Sequence, residues 1–247
     1  MAEIIGIKII KLDEIDSTNN YTSKLLANSN VIEGTVVVAK AQSSGRGQLS
    51  NQWESEYGKN ILASFVFYPK FLPVQQQFLL SKVIALGVRD LLTLFVDKVK
   101  VKWPNDIYIG NKKVAGILIE NSIMGHTLES SIAGVGININ QTVFLSDAPN
   151  PVSLIYSLKK ELDCSELLLV LCECIDKWYS LLSQGNVKMI NENYHDSLYQ
   201  RGIVSTYRDK NGEYEGMIEG VNAIGQLQIK PLSAPLKTYH FKEVEFL

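Results

Sequence analysis

The chain has 247 residues, enough to bury a sizeable core in one large domain or in a main domain with a small appendix. Hydrophobic residues make up 46% and charged residues 20% of it, a composition that excludes a disordered or fibrous protein. The formal net charge of -2 provides no overall field for attracting DNA, RNA or an anionic membrane. Any nucleotide contact must therefore be local.

The sequence also indicates the cellular compartment in which the protein works. The N-terminus mixes apolar and charged residues and lacks the apolar core and cleavage site of a signal peptide. The longest apolar run, LLLVLCECI, is interrupted by Glu173 and is too short to cross a bilayer. The cysteines, Cys164, Cys172 and Cys174, are odd in number and have no histidine nearby, which fits neither a disulfide framework nor a zinc site. We expect a cytoplasmic protein that does not contact a membrane.

Strands and helices alternate in the first part of the chain. The N-terminal segment predicts a strand, and a helix follows near residues 18–28, with Ser17 as its capping residue. The runs GTVVVAK and NILASFVFYP predict two strands. Apolar residues at helical spacing predict a long helix from Gln75 to Phe95.

The middle of the chain predicts a hairpin and a second long helix. VKVKW predicts a strand, IYI and VAGILIE flank the turn-forming Gly110-Asn111-Lys112, and ESSIAGVGININ predicts one more strand. Asp163 opens a variant of the capping box before a helix that ends at Gly185-Asn186. Cys172 lies on the apolar face of this helix, which indicates core packing rather than reactivity.

From about Gly202 the pattern changes to short strand-like pieces separated by turn-forming residues, without a helix signal. The pieces are IVSTY, EYEGMIEGV, GQLQIKP and LKTYHF. They predict a small β-barrel. About fifty residues are too few for a robust independent core, so we expect the barrel to pack against the main domain.

A polar loop, residues 43–55, separates the two early strands. Gly45 and Gly47 allow backbone amides to approach an anion, and Arg46 adds a permanent charge that can bind phosphate or carboxylate oxygens. An exposed surface loop would have a similar composition. Trp53 suits stacking on a purine ring, although it would equally pack the loop against the body of the protein.

The segment from Lys102 to Asp106 ends a predicted strand. Pro104 fixes a turn, and Asn105 and Asp106 present an amide and a carboxylate at the strand end, although a purely structural turn would also explain them. Lys113 follows in the next strand among small residues, against backbone that a ligand can approach. A surface lysine is the alternative interpretation.

These motifs resemble those of biotin–protein ligases. In chain order they are Ser17-Thr18-Asn19, Gln42, Gly45-Arg46-Gly47 with Trp53, Lys102-Trp103-Pro104-Asn105-Asp106, the run from Lys113 to Glu120, and the run from Gly134 to Asn138. The resemblance extends from about residue 12 to the end of the chain. It leaves no room for the N-terminal helix-turn-helix domain that some members carry, so we expect the single-function class and no DNA binding.

The resemblance implies an α+β fold in two domains. Residues 1–198 would form the catalytic domain, a mixed sheet with helices of the class II synthetase-like, biotin–lipoate ligase type. Residues 199–247 would form a small C-terminal SH3-like β-barrel. Exposed edge strands leave both a homodimer and a monomer open.

The implied activity is that of an ATP-dependent ligase. It would activate biotin as biotinyl-5'-AMP, with Mg²⁺ accompanying ATP, and transfer it to a specific lysine of a biotin carboxyl carrier domain. Lipoate–protein ligase is the closest rival, because it resembles this fold and also makes an acyl adenylate. The Gly-Arg-Gly loop with Trp53 and the Lys-Trp-Pro-Asn-Asp motif argue against it. A non-catalytic biotin-binding regulator is the other alternative, which the presence of Arg46 and Lys113 disfavours.

The resemblance also implies roles for individual residues. The implied biotin-binding residues are Ser17, Thr18, Asn19, Gln42, Arg46, Gly47, Gln48, Lys113 and Gly116. The implied ATP-binding residues are Arg46, Trp53, Lys102, Asn105, Lys113 and Asn138. Arg46 and Lys113 are the candidate catalytic cations, and Asp106 is a candidate to orient the acceptor amine or accept its proton, with a turn-capping role as its alternative. The sequence identifies no metal ligands. We expect residues 43–55 to become ordered over the ligand.

The chain departs from the common pattern in this loop. Many relatives have further arginines after the second glycine, whereas this chain has Gln48 and Asn51. Less positive charge therefore lines the loop. We hypothesise that hydrogen bonds hold the intermediate here and that its retention is weaker.

Overall fold

A computed structural model describes residues 4–48, 51–146 and 150–247 and arranges them around two β-sheets. The strands are β1 (Ile9–Ile15), β2 (Val36–Gln42), β3 (Ile61–Phe67), β4 (Val99–Lys102), β5 (Asp106–Ile109), β6 (Lys112–Met124), β7 (Thr127–Ile137), β8 (Val204–Asp209), β9 (Gly212–Val221), β10 (Leu227–Pro231), β11 (Lys237–Tyr239) and β12 (Glu245–Phe246). The helices are α1 (Thr18–Asn28), α2 (Phe78–Thr93), α3 (Ile155–Leu158), α4 (Cys164–Ser183) and α5 (Val187–Ser197), and a 3-10 turn covers Val74–Gln76.

The larger sheet has seven strands in the order β1-β2-β3-β7-β6-β5-β4. β1 and β2 are parallel, and the other neighbours are antiparallel, which confirms the predicted mixed sheet. Successive residues of a strand point to opposite faces. On β3, Ser64 therefore contacts Asn19 at the start of α1, whereas the Phe67 ring packs against Tyr179 of α4. Helices cover both faces of the sheet.

The start of α1 depends on Gln42. Ser17 occupies the N-cap position, but its hydroxyl makes no capping hydrogen bond, so the predicted capping role is wrong. Gln42 Oε1 instead accepts hydrogen bonds from the Thr18 N–H at 2.7 Å and from Thr18 Oγ1 at 3.1 Å. In the parallel register Ile15 lies opposite Gln42, which brings the Gln42 amide next to the first turn of the helix. The acceptor thus comes from the neighbouring strand.

The long helices follow the sequence pattern closely. α1 has the predicted bounds, and α2 begins after the 3-10 turn, three residues later than Gln75. The Asp163 side chain accepts hydrogen bonds from the N–H groups of Ser165 and Glu166, which confirms the predicted cap of α4. Cys172 is buried in the core, as predicted. The sequence pattern did not identify α3 or α5.

The smaller sheet is antiparallel, with the order β11-β10-β9-β8-β12. Its buried residues, among them Tyr207 and Leu227, belong to the same continuous hydrophobic cluster as the core of the large sheet. Trp103 Nε1 donates to the Gly225 carbonyl at 2.8 Å, and a Cβ at Gly225 would lie 2.6 Å from the Phe78 ring. These contacts confirm that the C-terminal part leans on the rest of the molecule. Among the described residues, the structure contains no helix long and apolar enough to cross a membrane.

Candidate active site

A cavity of about 750 Å³ lies where the start of α1, the polar loop, the β4–β7 region and the C-terminal strand β12 meet. Thirteen of the predicted site residues line it: Ser17, Thr18, Asn19, Gln42, Arg46, Gly47, Gln48, Trp53, Lys102, Asn105, Asp106, Lys113 and Gly116. Asn138 does not line it. That residue is buried beyond the end of β7, where its N–H donates to the Val114 carbonyl.

The polar end of the cavity is the start of α1, where Ser17, Thr18 and Asn19 are all buried. Asn19 Oδ1 accepts from Ser64 Oγ at 2.6 Å, while its Nδ2 donates to Glu120 Oε2 at 2.8 Å. A Cβ at Gly134 would lie 2.4 Å from Asn19 Oδ1, so only glycine leaves room for this side chain. Asn19 is thus held by the protein itself and gives this end of the cavity a fixed shape.

The polar loop folds back on itself over the cavity. Trp53 N–H donates to the Gly45 carbonyl at 2.9 Å, and Gly47 N–H donates to the Asn51 carbonyl at 2.8 Å. A Cβ at Gly45 would lie 2.3 Å from the Trp53 carbonyl oxygen, so this glycine permits the close approach of the two arms. Residues 49 and 50 lie outside the described residues.

The indole of Trp53 lies on a glycine patch formed by Gly116 and Gly136. A Cβ at Gly116 would lie 2.8 Å from the ring, and one at Gly136 would lie 2.4 Å from it. The indole Nε1 is buried and has no hydrogen-bond partner within the described parts of the chain. Lys113 Nζ lies 5.7 Å from the ring centroid. Trp53 therefore packs the loop against the sheet, the second of the two roles considered for it.

Arg46 is bound to the rim of the cavity. Its Nη2 forms an ion pair with Glu120 Oε1 at 2.7 Å, and its Nη1 donates to Asn20 Oδ1 at 2.7 Å. Both partners are polar and partly solvated, so an anionic ligand can compete for the guanidinium at low cost. Sequence reasoning did not single out Glu120 or Asn20 as its partners, because neither contact is local in the chain.

The cationic end of the cavity contains Lys102, Asp106 and Lys113. Lys113 Nζ and Asp106 Oδ1 form an ion pair at 2.7 Å. Burial raises the pKa of Asp106, although the lysine ammonium beside it acts in the opposite direction. Burial also lowers the pKa of Lys102. Asn105 is fixed nearby, because its Nδ2 donates to the Ile117 carbonyl at 2.8 Å.

The C-terminal sheet supplies one wall of the cavity, which sequence reasoning missed. The lining residues from this part are Phe241, Lys242, Val244, Glu245 and Phe246. They lie more than a hundred residues from the site motifs in the chain, and no local pattern indicates such a contact.

The described residues contain no group of three or more histidine, cysteine or acidic side chains that could hold a metal ion. The carboxylates that line the cavity are Asp106 and Glu245. Each already has a cationic partner, Lys113 and Arg208 respectively.

A model of the biotin/lipoate A/B protein ligase family matches residues 12–138. The chain belongs to this family. The bifunctional ligase/repressor BirA of Bacillus subtilis is 31% identical over 96% of this chain and 74% of its own length. The biotin–[acetyl-CoA-carboxylase] ligase of Paracoccus denitrificans is 28% identical over 89% of this chain and 92% of its own.

Solved structures agree with this family membership. A biotin protein ligase from Aquifex aeolicus, determined in complex with biotin and ATP, superimposes with a TM-score of 0.80 and 27% identity. The alignment covers 98% of this chain and 99% of that one, so it includes both sheets. The family resemblance and the predicted architecture, including the SH3-like C-terminal part, are confirmed.

Proposed function

We propose that this family member is a biotin–protein ligase, which activates biotin with ATP as biotinyl-5'-AMP and transfers it to a lysine of a biotin carboxyl carrier domain. The observation that carries the proposal is the division of one cavity into two chemically different ends. Ser17, Thr18 and Gln42 provide uncharged polar groups at one end, and Lys102 and Lys113 provide cations at the other. A ligand with a polar ring and a carboxylate tail matches this division.

The polar end of the cavity, at the start of α1, suits the ureido ring of biotin. Such a ring has two N–H donors and one carbonyl acceptor, and buried hydroxyl and amide groups can satisfy them without a charge. The glycine patch of Gly116 and Gly136 would let the ring system lie against the sheet. Trp53 would then move from the patch and stack on the adenine of the nucleotide, as the family resemblance suggests.

In the first reaction a biotin carboxylate oxygen attacks the α-phosphorus of ATP, and the bond to pyrophosphate breaks. Two anions must meet, so cations at the meeting point lower the barrier. Lys113 and Arg46 would serve there, and both have carboxylate partners that an anionic substrate can replace. Lys102 and Asn105 are the remaining proposed contacts of the nucleotide, whereas Asn138, which does not line the cavity, is not assigned one.

In the second reaction the acceptor lysine amine attacks the acyl carbon of the mixed anhydride, and AMP leaves. The amine must first lose a proton, since its free pKa of about 10.4 leaves little neutral amine at pH 7. Asp106 would accept that proton. Its raised pKa makes it a stronger base than an ordinary carboxylate, and it becomes free when Lys113 turns to the phosphate.

Magnesium would neutralise part of the triphosphate charge when bound with ATP. Because the described residues contain no group of three or more histidine, cysteine or acidic side chains, oxygens of the phosphates and of water would supply most of the ligands of this ion. We assign no residue to it. We further propose that residues 1–198 form the catalytic domain. Residues 199–247 would form a C-terminal domain that completes the cationic end of the cavity, where the nucleotide would bind.

The test is transfer of label. The protein is mixed with ATP, magnesium, labelled biotin and a biotin carboxyl carrier domain, with a carrier whose acceptor lysine is replaced by arginine as the control. We expect label on the intact carrier alone. Label from lipoate but not from biotin would overturn the proposal in favour of a lipoate ligase. Binding of biotin without transfer would favour a regulator.

A further inference from the structure

The ammonium group of Lys102 lies among three aromatic rings. Its Nζ is 4.9 Å from the ring centroid of Tyr108, 4.9 Å from that of Phe246 and 5.9 Å from that of Tyr199. It also donates a hydrogen bond to the Tyr108 hydroxyl at 3.3 Å. The rings come from β5, from the segment after α5 and from β12, so three distant parts of the chain surround one cation. We call this arrangement the Lys102 cage.

Each ring of the cage is fixed by further contacts. Phe246 is the register partner of Tyr207 in the β8–β12 pair, and their rings meet edge to face at 5.5 Å. Tyr199 N–H donates to the Val101 carbonyl at 2.8 Å, and its ring centroid lies 5.3 Å from that of Tyr108. Tyr207 is fully buried. The cage is therefore attached to the cores of both sheets.

Within the described parts of the chain, no carboxylate lies within ion-pair distance of Lys102. Asp106, the register partner of Lys102 in the β4–β5 pair, forms its ion pair with Lys113 at 2.7 Å instead. Aromatic faces stabilise an ammonium ion through their quadrupoles, but they do not neutralise it. Lys102 is thus not neutralised by an ion pair with any described carboxylate, and its ammonium group lies half-buried on the cavity wall, where an anion can reach it.

We propose that Phe246 is a positioning residue for the nucleotide: its ring holds the Lys102 ammonium in the direction of the ATP phosphates. This inference rests on the function proposed above. It gives the C-terminal strand β12 a specific part in the reaction, because β12 contributes the ring that closes the Lys102 cage. Phe246 acts through Lys102 rather than on the reacting atoms.

The test compares variants of Phe246 that distinguish the effect of its apolar volume from the effect of its aromatic face. Phe246→Leu keeps an apolar side chain but removes the aromatic face, and Phe246→Tyr restores the face. Leu247→Ala is the control, since Leu247 is exposed and does not line the cavity. The Kd values of a non-hydrolysable ATP analogue and of biotin are measured by calorimetry, and the thermal midpoint is recorded for each variant.

We expect Phe246→Leu to weaken binding of the ATP analogue by about threefold to tenfold, the range of a partly desolvated cation–π contact. Biotin affinity should stay unchanged, Phe246→Tyr should restore wild-type binding, and Leu247→Ala should match the wild type. In the ligase assay the KM for ATP should rise while kcat changes little. These results together would support the positioning role.

Three outcomes would overturn it. Unchanged binding of the ATP analogue by Phe246→Leu would show that the ring does not position Lys102. Equal losses of ATP-analogue and biotin binding with a lowered thermal midpoint, not restored by Phe246→Tyr, would show a general structural role. If the wild type does not bind the ATP analogue, the proposed function fails and the inference fails with it. If the wild type binds the analogue and Phe246→Leu binds it equally well, only the inference is rejected.

Discussion

Gly116 on β6 and Gly136 on β7 are direct register partners, and the Trp53 indole covers both of them. The ring occupies a part of the sheet where two adjacent strands carry no side chain. In the proposed reaction biotin needs the same surface. If biotin binds as proposed, Trp53 and the ligand compete for the glycine patch, and we expect biotin binding to displace the indole.

Replacing Gly136 by alanine should disturb both occupants of the patch. The new methyl group would lie 2.4 Å from the indole Cε2, so the indole must move, at a cost of about 1–3 kcal/mol in the free energy of unfolding. Biotin affinity should fall about tenfold by the same crowding. Urea unfolding and calorimetric titration measure the two effects. The double variant Trp53→Ala/Gly136→Ala should regain stability but not biotin affinity; an unchanged biotin Kd in the single variant would rule out this use of the patch.

Replacing Asp106 by asparagine should separate the two reactions. We expect transfer to the carrier to slow about 100-fold through loss of the base, while adenylate formation falls much less. In the wild type, transfer should slow as the pH falls through the raised pKa of Asp106, because protonation removes the base form. The variant should lack this dependence. Single-turnover measurements of each step provide the test.

The control for this variant is Asp13→Asn, which alters an exposed carboxylate paired with Lys40. It should behave as the wild type in both reactions. Equal slowing of adenylation and transfer in Asp106→Asn would indicate that Asp106 only organises the turn or Lys113.

Lys82 on α2 should make stability depend on pH. It is buried, its Nζ donates to Asn191 Oδ1 at 2.8 Å, and burial lowers its pKa to about 8. The unfolded chain, with the ordinary lysine pKa of about 10.4, binds the proton more tightly, so the free energy of unfolding should rise between pH 8 and pH 10.

Lys82→Met removes this titration and keeps most of the side-chain volume. We expect the variant to be more stable than the wild type at pH 7, by up to about 3 kcal/mol, and the difference to shrink as the pH approaches 10. Urea unfolding at several pH values measures it. A difference that is constant with pH would contradict the lowered pKa.

Gln48 offers a test of how the intermediate is held. It lines the cavity, and its Oε1 is buried without a partner among the described residues. Gln48→Arg adds a cation that can bond the adenylate phosphate, and we expect release of biotinyl-5'-AMP to slow about tenfold. Gln48→Glu is the opposite-charge control and should release it faster. Equal release rates in wild type and Gln48→Arg would refute the hypothesis of weaker retention.

The sequence was informative wherever a structural signal is local. α1, the hairpin that turns at Gly110 and the Asp163 cap of α4 depend on residues within a few positions of one another, and all three were predicted correctly. α5 was missed because Gly185 and Asn186 end the preceding helix and the next residues are mostly polar. Its buried residues Ile190 and Tyr194 have helical spacing and could have indicated it.

The sequence predicted which residues line the candidate site but not how they contact one another. The motifs identified thirteen residues that line the cavity, through family resemblance. Three features of the site were not predictable, because each depends on contacts between distant parts of the chain. They are the ion pair of Arg46 with Glu120, the packing of Trp53 on the glycine patch and the contact of Phe246 with Lys102. Side-chain capping of α1 by Gln42 instead of Ser17 has the same cause.

That capping contact also fixes the hydrogen-bond polarity of one wall of the site. The Gln42 side-chain oxygen is used by a backbone N–H and a hydroxyl of Thr18, so the amide cannot reverse without leaving the helix start unsatisfied. Only the NH2 group of Gln42 remains for a ligand. An atom that binds there must be an acceptor, and of the three polar groups of a ureido ring only the carbonyl oxygen qualifies. The Gln42 amide, which the first turn of α1 holds in one orientation, would thus determine the orientation of a bound ureido ring.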